Sequence, residues 1–404
     1  MASNEINYWD KDRFVDSVPH DWFTQMRQSA PVAWHEGIDG QAGFWSVTNY
    51  DDVVTVGRDY ENFSSAEGLV FMFDSEPEHL EQQRMLMLNM DPPMHTRYRR
   101  LINKGFTPRM VAELESTMRE RTNDIIDRIA EKGSCDFVVD VAAELPLQVI
   151  ADLMGVPQED RHKLFAWSNE MIGSDDPEYG VTEEISTQAM MDLYSYASEL
   201  AVQKRADPHD DLISVLSSAS VDGEKLTEIE IDLFFLILTV AGNETTRNLI
   251  SHGMVALLEN PEQLARLREN RDLLPGAVEE MLRWATPVMH FRRTATKDLV
   301  LGGQQIKAGD KVVIWYISAN RDEKYFDDPF VFNIERTPNE HVSFGGGGPH
   351  FCLGSNLARR EIYVMFDTIL DRMHDIKLDG DVSRLRSNFI NGLKHIPITF
   401  KADK

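Results

Sequence analysis

The chain has 404 residues, 42% of them apolar, so it is long enough to enclose a large hydrophobic core. Its formal net charge of -26 argues against nucleic-acid binding through a general basic surface, because attraction to phosphate drives such binding. Its two cysteines are too few for a disulfide framework and indicate a reducing, cytoplasmic location.

The chain carries no sign of a targeting segment or of a division into parts. Its first residues show no basic stretch followed by an apolar run, so we expect no signal peptide. The most apolar stretch, 231–241, contains Asp232 and is far shorter than the roughly 20 residues of a membrane-spanning helix. No repeat or Gly/Ser-rich linker interrupts residues 1–404, so we predict one domain, without a membrane span and acting as a monomer.

The first half of the chain changes from short strands to helices. Residues 1–63 include strand-like pieces, of which 43–48 is one. Residues 64–94 are rich in Met and Phe and are predicted to form a loop that ends in Asp91-Pro92-Pro93, a lead-in to a helix. From about 95 to 290, apolar residues recur three and four apart, which predicts helices.

One long helix is predicted over 226–259. Thr227 is its expected N-cap, and Glu230 three residues later completes a capping box. Its middle, 233–241, is apolar on all faces, so the helix should run through the protein centre. The other elements predicted in this half are a helix over 273–284, strands over 299–301 and 311–317 around a Gly302-Gly303 turn, a helix over 356–373 and a closing hairpin over 388–400. We therefore predict a mainly α fold with small β-sheets at its edge.

The strongest chemical signal is a glycine-rich loop that ends in a cysteine and opens into a helix, residues 344–354 (FGGGGPHFCLG). The thiolate is the metal-binding form of cysteine, and a helix N-terminus directly after Cys352 favours negative charge on sulfur. Glycines let the backbone approach the sulfur and a flat cofactor closely. A phosphate-binding loop fits less well, because no Gly-Lys-Ser/Thr follows. A structural cysteine would explain neither the glycines nor His350.

A second signal lies within the long predicted helix, where Ala241-Gly242-Asn243 precedes Glu244 and Thr245. An acid and an alcohol in an apolar helix are costly unless they are used. The alternative is that Thr245 hydrogen-bonds the carbonyl four residues earlier and bends the helix. Such a local opening would itself make room beside the helix for a small ligand.

Together these motifs resemble the cytochrome P450 family, in the family's order and over about residues 44–400. Phe344 lies eight residues before Cys352, whereas the family's usual spacing is seven, so the loop holds one extra glycine. The combination AGNETTRN, SANRDE and FGGGGPHFCLG is similar to that of bacterial, chiefly actinobacterial, members. The resemblance implies a cytochrome P450-type fold, haem b with Cys352 as the iron ligand, and O2 as co-substrate.

The resemblance also assigns roles to the helix residues. Thr245 and Glu244 would be catalytic and deliver protons, while Ala241 and Gly242, which lack bulk, would let the helix lie over the porphyrin. Glu280 and Arg283 share a helix face, and such pairs are common on protein surfaces. In the family this pair is structural, with a third partner downstream for which we expect Arg336.

The remaining cofactor-binding set consists of residues at family positions that bind the haem carboxylates or flank the cysteine: His95, Arg99, Arg293, His350, Phe344 and Gly354. The alternative for the first two is a basic surface helix, since Arg97, Arg100 and Lys104 lie nearby. Cys135 has no partner motif and is interpreted as structural.

The substrate pocket is expected to be apolar. The residues that align with family substrate-contact regions are Leu69, Val70, Phe71, Met72, Phe73, Leu236, Thr239, Val240, Val288, Met289, His290, Phe291 and Ile390. Each could equally be plain core. His290 is the polar member, and it would either orient a substrate hydroxyl or carboxylate or face solvent.

The resemblance implies a monooxygenase that hydroxylates a hydrophobic substrate at or near a chain end: a branched lipid, fatty acid, terpenoid or sterol side chain. Alternatives are a peroxygenase of the same fold, a haem-based gas sensor and a helical protein without haem. The intact Glu244-Thr245 pair argues against the peroxygenase. We expect a separate ferredoxin and ferredoxin reductase as electron donors, docking where Arg359, Arg360 and residues 99–104 would form a local basic patch.

Overall fold

The computed structural model describes residues 6–75, 77–221 and 223–403. In the described chain the α-helices, in order α1 to α15, are Arg13–Asp16, His20–Ser29, Tyr50–Arg58, Pro77–Gln83, Met94–Ile102, Pro108–Ala130, Glu144–Met154, Arg161–Ile172, Glu183–Ala206, Leu212–Ser218, Glu228–Glu259, Pro261–Glu269, Leu274–Ala285, Tyr316–Ala319 and Ser355–Arg372. The strands, β1 to β14, are Val32–His35, Phe44–Val47, Phe63–Ser64, Ser134–Asp136, Ser220–Val221, Glu224–Lys225, His290–Ala295, Leu299–Leu301, Gln304–Ile306, Lys311–Trp315, Met373–Leu378, Ser383–Arg384, Leu393–His395 and Pro397–Ala402. The predicted mainly α architecture with small sheets is confirmed.

The predicted central helix forms as α11, and its capping box is present. The Thr227 amide donates to Glu230 Oε2 at 2.7 Å, and the Glu230 amide donates to Thr227 Oγ1 at 3.4 Å. Helices α7, α8, α9, α13 and α15 all pack against α11, which explains why its middle is apolar on every face. Among the described residues no helix combines the length and apolarity that a membrane span requires.

The largest sheet lies at the N-terminal side, with strand order β1-β2-β10-β7-β3. The central strand β10 is buried along its whole length and pairs parallel with β2 and antiparallel with β7. This pairing sets Val312 opposite Arg293. A basic residue predicted to bind the cofactor is thereby carried by a strand inside the protein.

Two predicted segments differ from the structure. The loop over 64–94 contains the short helix α4. No hairpin forms within 388–400, because β13 pairs back with β12 while β14 pairs with β11 and β4. Only Ile396 separates β13 from β14, and one residue cannot form a hairpin turn. The predicted Gly302-Gly303 turn is present, with Gln304–Ile306 as the partner strand of β8.

The capping box of α11 generates a stability prediction. Thr227→Ala removes the hydroxyl that satisfies the Glu230 amide, so we expect the free energy of unfolding to fall by about 1 kcal/mol. Urea unfolding followed by circular dichroism measures this, with Thr227→Ser as the control that keeps the hydroxyl. Equal stability of the two variants would contradict the assigned cap.

Candidate active site

The cysteine loop takes a conformation that glycine alone adopts cheaply. Gly345, Gly346, Gly347 and Gly348 have φ values of 97°, 68°, 110° and 79°. The Cys352 amide nevertheless donates to the Phe344 carbonyl at 2.9 Å, so the two ends of the loop stay joined across the extra glycine. Outside the loop, Arg58 Nε donates to the Gly346 carbonyl at 2.9 Å, a support that the sequence analysis did not identify.

The half-buried Cys352 sulfur is surrounded by groups that act on its charge. Burial raises the pKa of the Cys352 thiol, whereas the Gly354 amide, Arg99 and Arg359 lower it. Helix α15 begins at Ser355, directly after this turn. The sulfur therefore lies at a helix N-terminus with two guanidinium groups nearby, which suits a thiolate ligand.

The structure brings the predicted carboxylate-binding residues His95, Arg99, Arg293 and His350 together beside this loop, close enough for Arg293 to lower the pKa of both histidines. Arg99, on α5, donates to the Pro349 carbonyl at 2.9 Å and the Phe351 carbonyl at 2.6 Å. The His95 ring lies against the His350 ring, with centroids 4.1 Å apart. Helix α5 is thus not merely a basic surface helix, because His95 is buried and Arg99 is half-buried.

The surroundings of Arg293 and His95 show whether the predicted carboxylate-binding residues fit a haem. Arg293 is buried, and in the described part of the chain it forms no ion pair with a carboxylate; its guanidinium donates to the Arg292 carbonyl at 2.8 Å. Burial lowers the pKa of Arg293, and it also lowers the pKa of His95 to about 4. His95 Nδ1 is enclosed without a hydrogen-bond partner. A buried cation that makes no ion pair is costly, and Asp91 acts on Arg293 only at longer range, so two haem carboxylates would fit this site.

One residue of helix α11 at the site, Ala241, has an exposed side chain. Ala241 is exposed although it lies in the middle of this central helix, which leaves room for a flat group. A Cβ at Gly242 would lie 2.8 Å from Ile150 Cδ1 of α7. The missing side chain of Gly242 therefore serves the packing of α7 on α11, and its contact with a cofactor stays a prediction.

Thr245 and Glu244 point to different partners. The Thr245 hydroxyl donates to the Ala241 carbonyl at 2.8 Å, the local bond considered from the sequence. Glu244 is buried, where burial raises the pKa of its carboxyl and Arg247 lowers it. Arg247 binds one Glu244 oxygen and also donates to Asn169 Oδ1 of α8 at 3.0 Å. The other Glu244 oxygen, Oε1, has no partner.

Glu280 and Arg283 form a fully buried bidentate ion pair with distances of 2.8 and 2.7 Å. Arg336 Nε approaches the same carboxylate at 3.2 Å, and the Asn333 amide donates to it at 2.9 Å. The neighbouring Glu279 accepts from Arg359 on α15 at 2.7 and 2.9 Å. Helix α13 is thus tied to the helix that follows the cysteine.

The predicted pocket residues divide by burial. Those almost completely enclosed by protein are Leu69, Val70, Met72, Thr239, Met289, His290 and Ile390. Those that keep accessible surface are Phe71, Phe73, Leu236, Val240, Val288 and Phe291. Met72 and Met289 belong to a core cluster with Tyr8, Trp9 and Trp315, which disfavours a substrate contact for them.

His290 is not on the surface, so the solvent-facing alternative is wrong. Its ring lies 4.5 Å from Trp315 and 5.4 Å from Phe389, measured between centroids, and neither of its nitrogens has a partner. Burial lowers the pKa of His290 to about 3. The imidazole is therefore neutral at ordinary pH.

The predicted basic patch is largely neutralised from within the protein. Arg359 pairs with Glu279, and Arg360 pairs with Glu115 at 3.0 Å. Arg100 is exposed, whereas the side chain of Lys104 lies outside what the structure describes. The two carboxylates lie 80 and 245 residues away in the chain from their arginines. Because only folding brings them together, the sequence did not indicate these ion pairs.

Cys352 carries the main prediction from this geometry. We expect Cys352→His to abolish the strongly red-shifted Soret band that thiolate ligation gives to the reduced carbon monoxide complex, because the sulfur donor is lost. The visible spectrum of the purified variant measures this. Cys135→Ser, which removes the other cysteine, should keep the band, and a band that survives in Cys352→His would refute the ligand.

Comparison with known proteins supports this site. The cytochrome P450 family model matches residues 179–385. A steroid C26-monooxygenase from Mycobacterium tuberculosis is 45% identical, over 98% of this chain and 92% of the relative. A methyl-branched lipid omega-hydroxylase from the same species is 42% identical, over 98% and 93%. A Mycobacterium marinum cytochrome P450 solved in complex with pseudoionone has a TM-score of 0.90 and 40% identity, covering 94% of both chains. The chain therefore belongs to the cytochrome P450 family and is a haem-thiolate monooxygenase.

Proposed function

We propose that this enzyme hydroxylates an elongated apolar lipid, a methyl-branched fatty acid, terpenoid or sterol side chain, at or near its chain end. One observation carries the proposal: both groups of relatives, at 45% and 42% identity, are named for oxidation of chain-end carbons. The accessible predicted wall residues Phe71, Leu236, Val240 and Val288 are all apolar. Such a wall binds lipid by excluding water.

We further propose haem b as the cofactor, with Cys352 as its axial ligand. Arg99, Arg293, His95 and His350 would hold its carboxylates, which explains why Arg293 is buried without an acidic partner. When bound, a haem-thiolate supplies the dioxygen chemistry: one oxygen atom enters a C–H bond, and two electrons and two protons convert the other to water.

Proton delivery is assigned to Thr245 Oγ1 and the Glu244 carboxyl. Burial raises the pKa of the Glu244 carboxyl, and this direction favours the protonated form that a general acid needs. Its Oε1 atom has no partner, so a proton there is free to be passed on once the side chain turns away from Arg247. Thr245 lies on the next position of α11 and carries the hydroxyl that would donate to the reacting oxygen. A peroxygenase would not need this pair.

We propose a ferredoxin and its reductase as electron donors to a single-domain, monomeric enzyme in the cytoplasm. Reduction should occur from the cysteine-loop side, where Arg58 and Arg100 are exposed. Because Arg359 and Arg360 are already paired with carboxylates, they contribute less charge to docking than the sequence suggested.

Thr245→Ala tests the proton-delivery role. Loss of the hydroxyl should leave substrate-induced spectral shifts intact but divert electrons to peroxide, lowering product per electron by about tenfold, because a proton-transfer group is missing. Product and peroxide are measured against reductant consumed in the same reaction. Thr245→Ser, which keeps the hydroxyl, should stay coupled. Unchanged coupling in the alanine variant would show that Thr245 has a local structural role only.

A ligand titration tests the substrate class. Methyl-branched fatty acids, terpenols and sterols added to the ferric enzyme should displace water from the haem and shift the Soret band to shorter wavelength. Turnover with donors should then give chain-end alcohols, identified by mass spectrometry. If small polar or charged aromatic compounds bind tightly and none of these lipids perturbs the haem, the proposed substrate class is wrong.

A further inference from the structure

Asn391 is buried in the turn before β13, and all four of its hydrogen-bonding groups are used. Its backbone amide donates to the Pro287 carbonyl at 2.8 Å, and its side-chain Nδ2 donates to the Ala285 carbonyl. Its Oδ1 accepts from Arg384 at 2.6 Å, and its carbonyl accepts from His252 Nε2 of α11 at 3.0 Å. Through its side chain and backbone together, this one residue joins three separate parts of the chain.

These contacts surround two predicted pocket residues. Val288 directly follows the segment that Asn391 holds, and Ile390 directly precedes Asn391. The two residues form an antiparallel β-bridge with each other. Val288 keeps accessible surface, so a shift of this bridge would move an apolar surface that a substrate can contact.

A second set of hydrogen bonds, made by Asn248, links the same turn to α11, the helix that carries Glu244 and Thr245. Asn248 Nδ2 donates to the Glu244 carbonyl at 2.9 Å. Asn248 Oδ1 accepts from the Leu393 amide at 3.0 Å, two residues beyond Asn391. The turn is thus fixed against α11 at two points, at Asn391 by His252 and at Leu393 by Asn248.

We propose that Asn391 is a positioning residue that sets which carbon of the substrate is oxidised. It would act by fixing the Val288–Ile390 wall relative to Thr245, without touching substrate or cofactor. An amide suits this role because it offers a donor to Ala285 and an acceptor to Arg384 at one position. The proposal rests on the proposed function in one respect only: oxidation must take place in the pocket bounded by this wall.

Two substitutions separate the contacts of Asn391. Asn391→Asp keeps an acceptor for Arg384 but sets a carboxylate oxygen against the Ala285 carbonyl, so the wall should move. Asn391→Ala removes both side-chain contacts. Because a displacement of about 1 Å in a bound reactant changes rates by up to about a hundredfold, we expect the ratio of terminal to penultimate alcohol to change at least about threefold.

Asn388 provides the matched control. It lies in the same turn and is equally buried, but its Nδ2 donates at 2.9 Å to the Tyr8 carbonyl and not to the 285–288 segment. Asn388→Ala should lose stability, as Asn391→Ala does, and keep the wild-type product ratio. Arg384→Met, which removes the partner of Asn391 Oδ1 together with a 3.4 Å bond to the Phe14 carbonyl, is a second variant in case Asn391→Ala fails to take up haem.

The experiment measures the ratio of terminal to penultimate alcohol that each holoenzyme forms with ferredoxin and reductase. The carbon monoxide spectrum of each variant is recorded as well, to check that the haem is correctly ligated. A ratio that shifts in the Asn391 and Arg384 variants and not in Asn388→Ala supports the proposal. An unchanged ratio in the haem-loaded Asn391 variants, or an equal shift in Asn388→Ala, would overturn it. If wild type converts another compound instead of these lipids, the proposed substrate class fails, and the same comparison is made on that compound.

Discussion

To serve as a ligand to haem iron, Cys352 would have to keep its sulfur atom ionised inside a protein. Burial opposes a charge on Cys352, and the Gly354 amide, Arg99 and Arg359 favour it. Each of these groups is itself held in place: Arg99 by the Pro349 and Phe351 carbonyls, and Arg359 by Glu279. The glycine loop, the start of α15 and the brace from α13 can all be understood as supports for this one charge.

The arginines near the cysteine loop differ in how their positive charge is compensated. In a chain with net charge -26, two arginines near the cysteine loop are matched by carboxylates, Arg359 by Glu279 and Arg360 by Glu115. In the described chain Arg99 and the buried Arg293 make no ion pair with a carboxylate and donate to backbone carbonyls instead. A cation left in that state indicates where an anionic group of the cofactor belongs, since its desolvation would otherwise be uncompensated.

The sequence predicted well those features of the structure that depend on contacts between residues close together in the chain. Thr227 and Glu230 cap α11 within one turn, and the motif from Phe344 to Gly354 forms one continuous loop, so both were recognisable in the sequence. Predictions failed where the partner is distant along the chain. The strands after residue 392 pair with 373–378 and 383–384. The contacts of Asn391 likewise join segments more than 100 residues apart, and no spacing rule could have identified them.

The central claim is that a thiolate from Cys352 is the protein's ligand to iron. Resonance Raman spectroscopy of the ferric enzyme tests this claim most directly. One sample of the enzyme is produced with ordinary cysteine and a second with cysteine that carries a heavy sulfur isotope. The account predicts an iron–sulfur stretching band that moves to lower frequency with the heavier sulfur and is retained in Cys135→Ser. A band insensitive to sulfur mass, or one that responds instead to nitrogen-labelled histidine, would contradict it.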